Sequence, residues 1–340
     1  MRSPEVNPLK PAGLKAYFDA HPEIRVAIFA GKGGLGKTTS SSSLAYYLAT
    51  EKKRKTLLFS TDPQASLSDI FEQNFFGKGV IEVIPNLFVV EIDADRRVAE
   101  YQAGVKQKIR DMYGLAELPR EIEEYIDSSS AEPSMYESAT YDAMAELVAA
   151  NEFDMYIFDM PPFGHGVRMV AMAEILSKWV EKITEARSQV AEYEQVAASL
   201  KGERAQEDAM MAELLDIRQR ITTFTDLITN QTSTGFFMVL IPEQMAILDT
   251  DRALAMFSEL GIQLSGLIVN QVYPPELLEQ PNLSEFLRNR LEGQRPYLQE
   301  IERKFGERVL SVVPMYTREP KGLEMIARAS ADLMECKVAV

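Results

Sequence analysis

The apolar run Val26-Ala27-Ile28-Phe29-Ala30 breaks into the glycine-rich stretch Gly31-Lys32-Gly33-Gly34-Leu35-Gly36-Lys37-Thr38, and a helix-forming segment over 37–50 follows at once. This is the pattern G-x-x-x-x-G-K-[ST] in the context it requires, with a strand before it and a helix after it. Glycines let the backbone turn tightly and aim its N–H groups inward, where they and the positive end of the helix hold phosphate oxygens. Lys37 is then placed to reach the β- and γ-phosphates, and Thr38 to put its hydroxyl on Mg2+. Lys32 is a second lysine in the same loop. It cannot share the place of Lys37, so it either faces solvent or approaches phosphate from elsewhere, a neighbouring subunit included.

A chain of 340 residues can bury one large α/β core or two smaller ones, and the expectation is a single domain spanning 1–340 with mainly helical insertions at 95–150 and 170–227. The 51 acidic residues outnumber the 36 basic ones, for a formal net charge of -15. That balance argues against a nucleic-acid surface, while a local phosphate site remains compatible with it. With one cysteine, Cys336, neither an intrachain disulfide nor a cysteine-based zinc cluster can form within one chain. No apolar stretch approaches about 18 residues and no signal-peptide core opens the chain, so the expectation is a cytoplasmic protein, with peripheral membrane contact left open.

The remaining apolar runs alternate with helical patterns, which predicts an α/β fold: a mostly parallel sheet flanked by helices. Ligand-binding loops in such sheets emerge at the carboxyl ends of the strands, so the polar residues there are the candidates. Asp62 follows the run 56–61 and can orient a water or a Mg2+ ligand; its alternative is to cap the helix that begins near Leu67. Asp159 ends the run 155–158, the natural carboxylate partner of a phosphate loop. Gly164 and Gly166 flank His165 in a loop able to change shape, and His165 itself is not taken as a general base. Asn270 ends another strand and can read the edge of adenine or cap the strand end. The loop after Pro314 is placed to cover the base. Residues 170–227 read as a helical hairpin, and the Met210-Met211 pair leaves two readings open: ordinary core, or an adaptable surface for an apolar helix of another protein.

Taken together, Gly31 to Thr39, Ser60-Thr61-Asp62-Pro63 with Leu67-Ser68-Asp69, Phe158-Asp159 leading to Gly164-His165, Ile241-Pro242-Glu243, Val269-Asn270-Gln271, and Pro314 with Gly322 resemble the deviant phosphate-loop ATPases of the arsenite-pump and tail-anchored-protein-targeting family, in the SIMIBI class. The resemblance implies a homodimer with facing nucleotide sites, using ATP/ADP and Mg2+. It gives Gly31, Lys32, Gly33, Gly34, Leu35, Gly36, Lys37, Thr38, Thr39, Asn270 and Pro314 to the nucleotide. Lys32, Asp62 and Lys37 become the catalytic set, with Lys32 reaching the other subunit's ATP and Asp62 positioning the attacking water. Thr38, Asp62 and Asp159 become the metal set, and Asp159 reports loss of the γ-phosphate. Hydrolysis is then coupled to a hydrophobic client such as a tail-anchored membrane protein or to a membrane receptor; the alternatives are a switch for a soluble assembly partner, or the energising of an arsenite or anion pump. The sequence departs from the family in lacking both the Cys-x-x-Cys pair of zinc-bridged targeting factors and the several thiols of arsenite-binding pumps. Ser66 stands where targeting members commonly have Asn, and Gln64-Ala65 where they have Ala-His.

Overall fold

A computed structural model describes residues 11–60, 66–113, 115–129, 143–160, 229–259 and 261–336, with a few isolated positions between 182 and 227. The apolar runs form β1 Val26–Ala30, β2 Thr56–Ser60, β3 Ile81–Ile84, β4 Leu87–Glu91, β5 Met155–Asp159, β6 Thr234–Leu240, β7 Leu264–Val272 and β8 Val309–Pro314. They make one sheet in the order β3-β4-β2-β5-β1-β6-β7-β8. Every pairing is parallel except the β3–β4 hairpin at one edge. β1, β2, β5 and β6 are buried along their whole lengths, as strands covered by helices on both faces must be. The predicted mostly parallel α/β sheet is therefore what forms. β3 lies outside the expectation, because its half-exposed residues carry no continuous apolar run.

The helices are α1 Leu14–Ala20, α2 Lys37–Thr50, α3 Ser66–Phe71, α4 Ala94–Tyr113, α5 Arg120–Ser129, α6 Gln244–Glu259, α7 Glu285–Phe305 and α8 Gly322–Glu335. Two compact units divide the chain. One comprises Met1–Arg96, Phe153–Val167 and Asn230–Val340 and holds the whole sheet; the other comprises Arg97–Glu152 and Arg168–Thr229. In the second unit, Lys106 joins α4 to α5 by ion pairs with Glu123 at 3.5 Å and Asp127 at 2.7 Å. Most of the hairpin expected at 170–227 lies outside the described residues.

Within the sheet unit, α2 packs along α8, and small residues permit the close approach. Ser330 Oγ donates to the Ser43 carbonyl at 2.8 Å, while Ser311 of β8 ties α8 to the sheet by donating to the Leu333 carbonyl at 2.7 Å. Four consecutive serines, Ser40 to Ser43, are buried on α2. A serine hydroxyl in a helix can return its proton to its own helix, as Ser40 does to the Gly36 carbonyl at 2.9 Å and Ser41 to the Thr38 carbonyl at 3.0 Å. Phe237 of β6 meets Tyr17, Phe18 and Phe29 with ring centroids 5.4–5.8 Å apart. This is how the short α1 is held to the sheet.

The basic run Lys52-Lys53-Arg54-Lys55 follows α2. Arg54 donates to the carbonyls of Ile24 and Asp154, each at 2.9 Å, and Lys55 lies over the rings of Phe88 and Phe153. These cations close the amino edge of the sheet, opposite the edge that carries the site. Because Phe237 is fully buried at the centre of the aromatic cluster, Phe237→Ala should cost about 3–5 kcal/mol. A urea unfolding series on the purified protein would read this as a lower midpoint.

Candidate nucleotide site

β1 ends at Ala30 in the middle of the sheet, and the chain must turn from it into α2 within six residues, 31–36. Glycine is required where that turn is tightest. Gly31 has φ +147°, and a Cβ there would lie 2.6 Å from the Val239 carbonyl oxygen of the neighbouring strand β6. Gly36 has φ +93° in the left-handed region, and a Cβ there would lie 2.1 Å from Nδ2 of Asn270. The loop thus fits against β6 and β7 only because both positions lack side chains, and the first turn of α2 points its free N–H groups into the same space.

Lys37 opens α2 and is 6 % exposed. Its Nζ donates to the Lys32 carbonyl at 3.1 Å, so the ammonium already lies across the loop. Thr38 Oγ1 donates to Oδ2 of Asp159 at 2.7 Å. The hydroxyl and the carboxylate that the sequence assigns to one metal ion, 121 residues apart, are in contact. Thr39 follows in the first turn of α2.

Asp159 belongs to a row. Parallel pairing sets Glu91, Ser60 and Asp159 side by side at the ends of β4, β2 and β5, and registered residues of neighbouring strands face the same side of a sheet. Each holds the start of a helix. Asp159 holds α2 through Thr38, and Ser60 Oγ lies 3.4 Å from Ser66 Oγ at the start of α3. Glu91, 1 % exposed, accepts from the Leu67 N–H at 2.8 Å and from Ser68 Oγ at 2.5 Å. Asp62 lies outside the described residues, as do Gly164 and His165; the ends of the 61–65 segment, Ser60 and Ser66, are anchored in this row.

On the other flank, Asn270 is 7 % exposed near the end of β7 and Pro314 ends β8 beside Val272, so the two are neighbours at the carboxyl edge. The Asn270 amide donates to the Leu35 carbonyl at 2.8 Å, and Gln271 donates to the Gly34 carbonyl at 3.2 Å. Lys32 points elsewhere. Its ammonium lies 3.4 Å from the carboxylate of Asp249 on α6, with its side chain 54 % exposed. Sequence reasoning did not single out Glu91, Asp249 or Gln271. Glu91 carries the same signal as Asp159, an acid closing an apolar strand; Asp249 sits on a helix face with no such mark, and Gln271 follows a residue already chosen.

The arrangement suits a triphosphate with a divalent cation: a glycine loop that a Cβ would fill, a buried ammonium, and a hydroxyl paired with a carboxylate. The family model described as "Anion-transporting ATPase" matches residues 24–335. A protein of Aquifex aeolicus, "Putative arsenical pump-driving ATPase 2", is 32% identical over 312 residues, covering 91% of this chain and 99% of its own. "ATPase GET3" of Malassezia globosa is 31% identical over 310 residues, 89% of each chain. The "Putative arsenical pump-driving ATPase" of Halobacterium salinarum is 31% identical over 309 residues, 90% of this chain, and the matched part is 43% of that protein. Replacing Gly36 by Ala combines a left-handed φ with the collision at Asn270, and nucleotide affinity should fall by about tenfold or more. Titration with a fluorescent ATP analogue checks it.

Proposed function

The chain belongs to the anion-transporting ATPase family and is an ATP-hydrolysing enzyme, and from that premise we propose that it is a Mg2+-dependent, homodimeric switch that couples hydrolysis to handling a hydrophobic client such as a tail-anchored membrane protein. The observation that carries the switch is the Thr38–Asp159 contact. It joins the phosphate loop to the strand from which the segment with Gly164 and His165 departs, so a change at the γ-phosphate has a direct route into that segment.

The chemistry is transfer of the γ-phosphoryl group to water, achieved by positioning and charge. The loop N–H groups and Lys37 hold the β- and γ-phosphates. Mg2+ would be held by Thr38, with Asp159 and Asp62 on its water shell, and it supplies neutralisation of charge on the phosphate oxygens. Asp62 orients the attacking water. Asn270 and Pro314 are assigned to the base.

Lys32 completes the site in the dimer. In one chain it is held by Asp249, and the exposed face of α6 around that pair carries Met245, Leu248 and Met256. A patch holding a lysine and an aspartate side by side amid apolar side chains is self-complementary under a twofold axis, which supports a second copy of the chain as its partner. On the closed dimer Lys32 exchanges Asp249 for a phosphate of the facing site.

The client reading rests on the sequence resemblance and on the methionine content of the chain, 16 residues. The pump reading is weaker, because binding of As(III) takes several thiolates. Cys336 is the chain's one cysteine; it accepts from the Val312 N–H at 3.3 Å, and burial pushes its thiol up.

Two measurements test the proposal. Asp62→Asn should retain ATP binding while turnover falls by about a hundredfold or more, in the range typical of a lost water-orienting or base group; undiminished turnover removes Asp62 from its role. The wild-type dimer should capture an apolar transmembrane peptide in one nucleotide state and not the other. Intact ATPase activity with no capture in either state would discard the client reading and leave the soluble-partner switch.

A further inference from the structure

β7 shifts register against β8 twice, between Leu267 and Ile268 and again between Val269 and Val272. Gln271 sits in the second irregularity at φ +56°, a left-handed conformation that a residue with a Cβ adopts at a cost. The conformation is held from behind. Gln294 of α7 pairs with Tyr273, two residues on, like a strand neighbour, accepting from its N–H at 3.0 Å and donating to its carbonyl at 2.6 Å. The Met315 N–H donates to the Val272 carbonyl at 2.8 Å.

The consequence is a change of facing. In a regular strand, Asn270 and Gln271 would point to opposite sides of the sheet. Here both amides reach the same loop and take successive carbonyls, Leu35 from Asn270 and Gly34 from Gln271. A trans peptide holds each carbonyl antiparallel to the N–H of the following residue. Drawing the Gly34 carbonyl toward β7 therefore turns the Leu35 N–H away from it, and drawing the Leu35 carbonyl does the same for Gly36. Lys37 acts alike on the Lys32 carbonyl, and so on the Gly33 N–H.

We propose that Gln271 is a positioning residue of the phosphate loop: its left-handed backbone brings its amide onto the Gly34 carbonyl, which aims the Leu35 N–H at the β- and γ-phosphates. This rests on the reading of the site as an ATP site. Gln271 touches no phosphate itself; it acts through one peptide plane.

Gln271→Gly isolates the amide. Glycine takes the left-handed conformation without strain, so the fold is kept or stabilised while the donor is lost. Isothermal titration in the presence of Mg2+ should show inorganic triphosphate binding about fivefold more weakly, the scale of one net hydrogen bond, with AMP affinity unchanged. In steady-state ATP hydrolysis the defect should appear in KM by a similar factor and exceed any change in kcat, since the loop binds ground and transition states alike. The thermal midpoint should not fall. Gln271→Glu, which sets a carboxylate against the carbonyl, should weaken triphosphate binding further. Unchanged triphosphate affinity in Gln271→Gly, or an equal loss for AMP and triphosphate, overturns the proposal. A wild-type protein that fails to bind ATP would instead overturn the ATP-site reading.

Discussion

The hydrogen bond from the Thr38 hydroxyl to the Asp159 carboxylate is the contact through which the rest of the site is assembled. Thr38 is fixed by the loop that turns β1 into α2; Asp159 is fixed by β5, which lies between β1 and β2 in the sheet. A hydroxyl and a carboxylate so far apart in sequence meet only if the two strands are neighbours and in register, and Phe29 is registered with Asp159. Asp159 is 2 % exposed, so its charge depends on the donors around it. The sheet order and the chemistry of the site are thus one constraint: β5, next to β1, and β7, beyond β6 on the other side, must deliver polar ends at the height of the loop. β5 delivers Asp159, and the carboxyl end of β7 delivers Asn270 and Gln271.

The row Glu91, Ser60 and Asp159 extends that logic along the sheet. In a largely buried, mostly parallel sheet a polar side chain needs a partner, and Glu91 and Asp159 find theirs at the start of a helix. Glu91 satisfies the first turn of α3, whose Leu67 N–H has no partner within its own helix, and Ser68 passes the network on to the Phe75 N–H at 2.9 Å. α2 and α3 are thereby tied to the sheet at their starts.

The sheet was legible because its strands are apolar runs and its turn into α2 is a motif with a mechanism. The strand bounds at Val26–Ala30 and Val309–Pro314 and the helix Lys37–Thr50 follow directly from the residues. β3 was not legible, since Ile81–Ile84 alternates with charge and gains its place only by pairing with β4. Within the site, Thr38, Lys37 and Asp159 could be read because strand-end and loop positions restrict what those side chains can do. Gln271 could not. Period-two alternation turns it away from the loop, and only the left-handed backbone, itself fixed by Gln294 from a distant helix, turns it back. Asp249 is equally silent in sequence, because a helix face carrying Leu248, Asp249 and Arg252 reads as an ordinary solvated surface.

The two lysines of the loop show how burial divides labour between identical groups. Lys37 is 6 % exposed and its ammonium is engaged by the loop's own backbone; removing it from that place means exposing a desolvated cradle. Lys32 is half exposed, and its contact with Asp249 at 3.4 Å is a surface ion pair of the kind worth about 0–1 kcal/mol. Such a pair orients a side chain without trapping it. A phosphate carrying several negative charges in a water-poor interface offers the same ammonium a far stronger partner. In the proposed dimer, a lysine that changes partners is best held by a weak pair close to where it is needed, and one that does not is best buried. The chain places one of each within five residues of the same turn.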